Sequence, residues 1–238
     1  MNLRLIVCFI LALSCCALPL RALEFCLISW EGEIQGLQYA NGTTKVAIDA
    51  NEGALSSPYR FEGAGPLVLF REVKVDDKTV RVPVATLTVP SGLTQAIILL
   101  AYADATHTTY TGSWINNSVD VRPPQTVTYR NFSSYAVAVK MGTEEHVIPP
   151  KEGLTLTTGT TVERVVFKAA AQTQSGWEVV ASTVQPVRPG LRTLVIMRNG
   201  RPDYTGHKEI LDMLMFNDYP PPPAPAGTPS PAADHPPA

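Results

Sequence analysis

Apolar and polar residues alternate along most of this chain with the period of two that marks a half-buried strand. Lys45-Val46-Ala47-Ile48-Asp49 and Val80-Arg81-Val82-Pro83-Val84 alternate, and Tyr135, Val137 and Val139 fall on one face of an extended chain. Continuous apolar runs, Leu67-Val68-Leu69-Phe70, Ala96-Ile97-Ile98-Leu99-Leu100 and Leu194-Val195-Ile196-Met197, suit strands covered on both faces. Turn signals separate them: Asn41-Gly42, Asp76-Asp77, Ser91-Gly92, Pro149-Pro150 and Asn199-Gly200. Short strands at this spacing predict an all-β chain built as sandwiches rather than β-α-β units.

The two halves share landmarks. Val84-Ala85-Thr86 leads through Pro90-Ser91-Gly92-Leu93 into the run that starts at Ala96. Val180-Ala181-Ser182 leads through Arg188-Pro189-Gly190-Leu191 into the run that starts at Leu194. Tyr110-Thr111-Gly112 then answers Tyr204-Thr205-Gly206. Landmarks in one order predict two tandem antiparallel, immunoglobulin-like β-sandwiches, over residues 23–118 and 126–217. Residues 116–125, rich in Asn, Asp and Pro, form the junction. Residues 208–216 allow a short helix through Ile210, Leu211 and Leu214, but the place of this segment in the repeat favours a last strand. From 218 to 238 the chain turns to Pro and Ala, a composition that predicts a disordered or polyproline-like tail.

The opposite end reads as an export signal over residues 1–22. Arg4 precedes the apolar run of residues 5–13, and Leu20-Arg21-Ala22 offers a small residue for cleavage. The run is shorter than the ~20 apolar residues of a membrane-spanning helix. Cleavage there removes Cys8, Cys15 and Cys16 and leaves Cys26 with no partner for an internal disulfide. Retention of an acylated Cys15 is the weaker alternative, because Ala12 fits a lipoprotein site poorly. Without Arg4 and Arg21, 17 basic residues stand against 21 acidic ones, and no basic patch interleaves with aromatics. Nucleic acid is therefore not an expected partner.

No catalytic or metal motif stands out. His107, His146, His207 and His235 lie far apart, without the spacing that pairs two imidazoles on a metal, and no cofactor is expected. Glu31 and Glu33 beside Trp30 would point to one side of an extended chain, the raw material of a glycosidase. Asn116, Asn117 and Asp120 carry calcium-type oxygens, which Asx-turns would also use. Trp30 and Trp177 sit in apolar strands and are expected inside, whereas Trp114 is the best tryptophan for a contact surface. Arg188, Arg192, Arg198 and Arg201 bracket the last clear strand, where they would bind a partner's carboxylates or guard a sheet edge.

The segment Thr-Val-Thr-Tyr-Arg-Asn-Phe-Ser-Ser-Tyr-Ala-Val-Ala-Val of residues 126–139 stands between Asn116-Asn117-Ser118 and Ile148-Pro149-Pro150-Lys151-Glu152-Gly153. With these flanks it resembles uncharacterised secreted β-sandwich proteins of Gram-negative bacteria, particularly of the Verrucomicrobia type. More distantly it is similar to the periplasmic accessory proteins of alginate O-acetylation. The resemblance implies a tandem sandwich outside the cytoplasm and no catalytic residues. The expectation is a non-enzymatic envelope or secreted protein holding a protein or polysaccharide partner. The rivals are an extracytoplasmic carbohydrate hydrolase assembled from Glu31, Glu33 and a histidine, and a two-domain chaperone that adds a strand to its client.

Overall fold

The computed structural model describes residues 22–159, 164–201 and 209–220. The expected export signal, the bulk of the Pro-rich tail and the Tyr204-Thr205-Gly206 landmark lie outside the described residues. The described residues form sixteen strands and no helix. The first eight are β1 (Leu23–Ser29), β2 (Ile34–Asn41), β3 (Thr44–Ala50), β4 (Tyr59–Phe61), β5 (Leu67–Val75), β6 (Lys78–Leu87), β7 (Gln95–Tyr102) and β8 (Tyr110–Asn116). The second eight are β9 (Thr126–Asn131), β10 (Val137–Met141), β11 (Glu144–Ile148), β12 (Gly153–Thr157), β13 (Arg164–Thr173), β14 (Gly176–Pro186), β15 (Arg192–Asn199) and β16 (Leu211–Asp218). The segment that could have been a helix is thus the last strand.

Four four-stranded sheets result, in the orders β4-β1-β7-β8, β3-β2-β5-β6, β12-β9-β15-β16 and β11-β10-β13-β14. Adding eight to each strand number of the first two sheets gives the last two. The repeat extends to detail. Each half holds one parallel pair, β1 with β7 and β9 with β15. Both long hairpins carry a β-bulge at the same place: opposite Leu69 and Phe70, β6 offers Ala85 and then Pro83, and opposite Ala169 and Ala170, β14 offers Ala181 and then Val179. The extra residues are Val84 and Val180, the first members of the tripeptides that revealed the repeat. Gly42 and Gly142 occupy the same turn of the equivalent hairpins β2–β3 and β10–β11, both at positive φ.

The sheets stack as four layers with three apolar interiors. Phe25, Leu27, Leu37, Tyr39, Leu69 and Ile98 belong to the first sandwich, between the sheets of β1 and β2. Tyr129, Val137, Val139, Phe167, Val195 and Met197 belong to the second. A third interior joins the sandwiches: Ile28, Ile97, Leu99 and Ile115 meet Leu194, Ile196 and Phe216. Alternation explains the arrangement. In β7 the even residues Ala96, Ile98 and Leu100 face the first core and the odd Ile97 and Leu99 face the second sandwich. The continuous apolar runs of β7 and β15 are therefore those of strands buried on both faces.

The third interior is quasi-isologous, since equivalent faces of the two repeats pack on each other. The amide of Trp30 donates to the carbonyl of Leu100, and the amide of Phe132 donates to that of Met197, so Trp30 and Phe132 are counterparts. They meet edge to face, with ring centroids 5.7 Å apart and planes at 87°. Trp30 is thus partly buried between the sandwiches, not inside one of them.

Candidate functional site

The arginine cluster divides along β15. Arg192 and Arg198 point, like Leu194 and Ile196, into the seam between the sandwiches, where each is almost wholly buried. At one end Arg192 donates from Nε and Nη2 to the two oxygens of Asp218, at 2.9 and 2.8 Å. Its Nη1 donates to the carbonyls of Asn117 and Arg122, both in the junction. Buried Arg122 adds its own contact to Asp218 and hydrogen-bonds the side chain of Asn117. Burial lowers its pKa to about 10, still far enough above neutrality to keep it charged.

At the other end, Arg198 donates to Asp212 at 2.6 Å and to Glu52 of the first sandwich. Its guanidinium lies 5.5 Å from the centre of the Trp30 ring. The half-exposed Arg201 also reaches Glu52 and Asp212. Burial alone would raise the pKa of Glu52, but hydrogen bonds from Arg198, the Gly32 amide and Arg201 outweigh it and bring the value to about 2. Arg188 is apart from these three, exposed on the connection between β14 and β15. Arg192, Arg198 and Arg201 therefore hold carboxylates of this chain.

The segment that carries the family resemblance is organised by Asn131, which is 1% exposed. Its amide donates to the carbonyls of Tyr135, Ile148 and Pro149, and its oxygen accepts from the amide and hydroxyl of Ser133. One side chain thus fixes the connection between β9 and β10 against the end of β11. Phe132 goes to the seam, and Ser134 donates to Asn199 at the end of β15. The motif positions backbone.

The remaining candidates are separate. Trp114 is half-buried against the first core and lines an open depression with Pro90, Leu93 and Asn116. The chain bends at Trp30 to Gly32, where Gly32 has φ +63, so the extended run that would align Glu31 with Glu33 is absent. Glu33 instead accepts a hydrogen bond from Gln35. His107 stacks on Tyr102 at 3.9 Å, and His146 lies 3.6 Å from Glu144. His207 and His235 lie outside the described residues, among which no cluster of three metal-type ligands occurs. Asn116 caps its own turn through Ser118, and Asn117 is taken by Arg122. Cys26 is half-buried, and burial pushes its thiol pKa up, away from nucleophilic character.

Sequence reasoning missed the outer face of the second sandwich. Cross-strand registers align Val147, Ala138, Ala170 and Val179 across all four strands of the β11-β10-β13-β14 sheet. Val147 is 55% and Val179 73% exposed. Trp177 extends this row along β14, half-exposed rather than inside, because the bulge at Val180 reverses which residues of β14 face the core. On the other side stand Lys140 and Lys168, opposite each other, and then the exposed pair Val166 and Val184. The row spans three strand gaps of ~4.8 Å, about 14 Å of apolar surface bordered by Lys140 and Lys168 and, opposite Lys140 on β11, by Glu145. Among the described residues no ion pair involves either lysine.

The chain matches no protein-family model and no curated protein. No helix among the described residues is long and apolar enough to cross a membrane.

Proposed function

We propose that this is an exported, non-enzymatic binding protein whose outer sheet in the second sandwich holds a protein partner of the cell envelope. The observation that carries the reading is the outward row Val147, Ala138, Ala170 and Val179, exposed at its two valines and ending beside Trp177 on the edge strand β14. Flat aliphatic surface suits a protein face better than a sugar, which favours grouped aromatic platforms, and Trp30, Trp114 and Trp177 are dispersed. Lys140 and Lys168 favour a partner whose apolar patch is rimmed by carboxylates. Export is supported by the charged and apolar start of the chain, and by β1 opening at Leu23, directly after the small residue at which a signal would end. The resemblance of residues 126–139 to secreted tandem sandwiches points the same way.

Export is tested by expressing the full chain in a Gram-negative host, fractionating it and weighing the product. We expect a mature chain that starts near Leu23 outside the cytoplasm; an intact chain in the cytoplasm defeats the export half. Binding is tested with a photo-crosslinking residue at Val179, and at Pro83 as its repeat counterpart, in the intact envelope. We expect a discrete acidic protein trapped at Val179 alone. Identical products at both positions, or none, defeat the binding half.

A further inference from the structure

A second feature of the second sandwich is independent of that surface. Registers place Leu27, Ile98 and Trp114 side by side across the first sandwich, and Tyr129, Val195 and Met215 at the equivalent places of the second. In the first repeat the indole of Trp114 packs onto the core. In the second, Met215 lines a narrow slot between the sheets. Apolar side chains line it, Val127, Met141, Phe167 and Leu191 among them, together with Tyr129.

The hydroxyl of Tyr129 is fully buried and has no hydrogen-bond partner. Burial also raises its pKa, so it remains a neutral donor. A buried hydroxyl without a partner costs about 1–3 kcal/mol, so the site calls for an acceptor. The other hydroxyls of the lining are occupied: Thr126 by Pro123, Thr158 by Gln125 and Thr193 by Asn217. Gln185 also lines the slot, its amide donating to the sulfur of Met215 at 3.4 Å. At the mouth stands Arg188, the one charged residue of the lining, which has no ion pair among the described residues.

We propose that this slot binds a medium-chain carboxylate bearing a neutral oxygen on its chain. The chain lies between the sheets, the oxygen accepts from Tyr129 and the carboxylate meets Arg188. As it stands the slot is drawn in around little more than one water, and the flexible thioethers of Met141 and Met215 are the parts that swing aside.

The test titrates the full chain with 3-hydroxyoctanoate and with octanoate, read by calorimetry and by the methyl resonances of the methionines. We expect one saturable site, with shifts centred on Met141 and Met215. Tyr129→Phe weakens 3-hydroxyoctanoate about tenfold and leaves octanoate unchanged, in line with one hydrogen bond of ~1.4 kcal/mol. Arg188→Gln weakens both acids. Met215→Trp, which copies the first repeat, abolishes binding, and it carries the test if Tyr129→Phe fails to fold. Absence of saturable binding by either acid, or unchanged binding in both Tyr129→Phe and Met215→Trp, overturns the proposal and leaves the slot as interior packing.

Discussion

The two sandwiches share one topology and one bulge, yet their outer sheets face solvent in opposite ways. On the first, Lys45 pairs with Glu72 at 2.7 Å, Arg81 approaches the same carboxylate and its guanidinium covers Phe70 at 5.0 Å. The charged groups of that patch are partnered on the same sheet, whose exposed valines, Val73, Val75, Val80 and Val82, lie further along β5 and β6. On the second, Val147, Val179 and Trp177 are bare, and Lys140 stands between Lys168 and Glu145 with no ion pair among the described residues. The inner sheets reverse the comparison, since both contribute equally to the seam through Ile97 and Leu99 on one side and Leu194 and Ile196 on the other. Duplicated halves have kept what joins them and diverged where they meet the surroundings.

The comparison is broken most severely at the seam. Arg198→Ala leaves Glu52 and Asp212 facing each other in a half-buried site without the buried cation, and is expected to cost about 3–5 kcal/mol in urea unfolding. Lys45→Ala, on the self-satisfied outer sheet, should cost less than about 1 kcal/mol. Equal losses from both would refute the view that the seam, and not the surface, holds the body together.

Next comes Asn131→Ala, which strips a partner from three backbone carbonyls and is expected to cost about 2–4 kcal/mol. The hydroxyl of Ser29, its counterpart, bonds within its own turn to the backbone of Glu31, and Ser29→Ala should cost about 1 kcal/mol. Thermal unfolding of the pair measures how far the two connections differ.

A smaller effect is tied to pH. Glu52 has its pKa lowered from 4.5 to about 2, so its contribution is complete above pH 4.5 and disappears as the pH falls through 2. Glu52→Gln should therefore lie about 2 kcal/mol below the parent at pH 7, the gap closing between pH 4.5 and 2. A gap that persists unchanged at pH 2 would show that the carboxylate charge is not what Arg198 and Arg201 recognise. The smallest change in stability is expected from Val179→Lys, within about 0.5 kcal/mol, because that side chain is already in water. With the photo-crosslinking residue moved to Val147 on the same row, Val179→Lys should abolish crosslinking to the partner, and retained crosslinking would remove this face from the binding reading.

Much of the fold was legible because period-two alternation and turn residues report local geometry. The tripeptides Val84-Ala85-Thr86 and Val180-Ala181-Ser182 matched because each begins at a bulge, where only certain local shapes continue the sheet. That bulge also explains a miss. An apolar β14 suggested a core position for Trp177, but one extra residue turns it outward, and no composition signal reports which way a strand has flipped. The arginines were misjudged for another reason. Arg198 and Glu52 lie 146 residues apart, so nothing in the neighbourhood of either announces the pair. Nothing in the neighbourhood of Tyr129 announces that its hydroxyl is buried without a hydrogen-bond partner, which depends on what β15 and β16 bring beside it.

Trp30 against Phe132 has a consequence beyond packing. A homodimer with this interface would come apart on dilution, whereas two copies linked by the short junction of residues 116–125 meet at a fixed local concentration that dilution cannot lower. Fusion also releases the two sides from identity. One half is free to offer indole and arginine-seeking carboxylate, and the other the smaller ring and the arginines, an asymmetry that no symmetric pair of identical chains can reach.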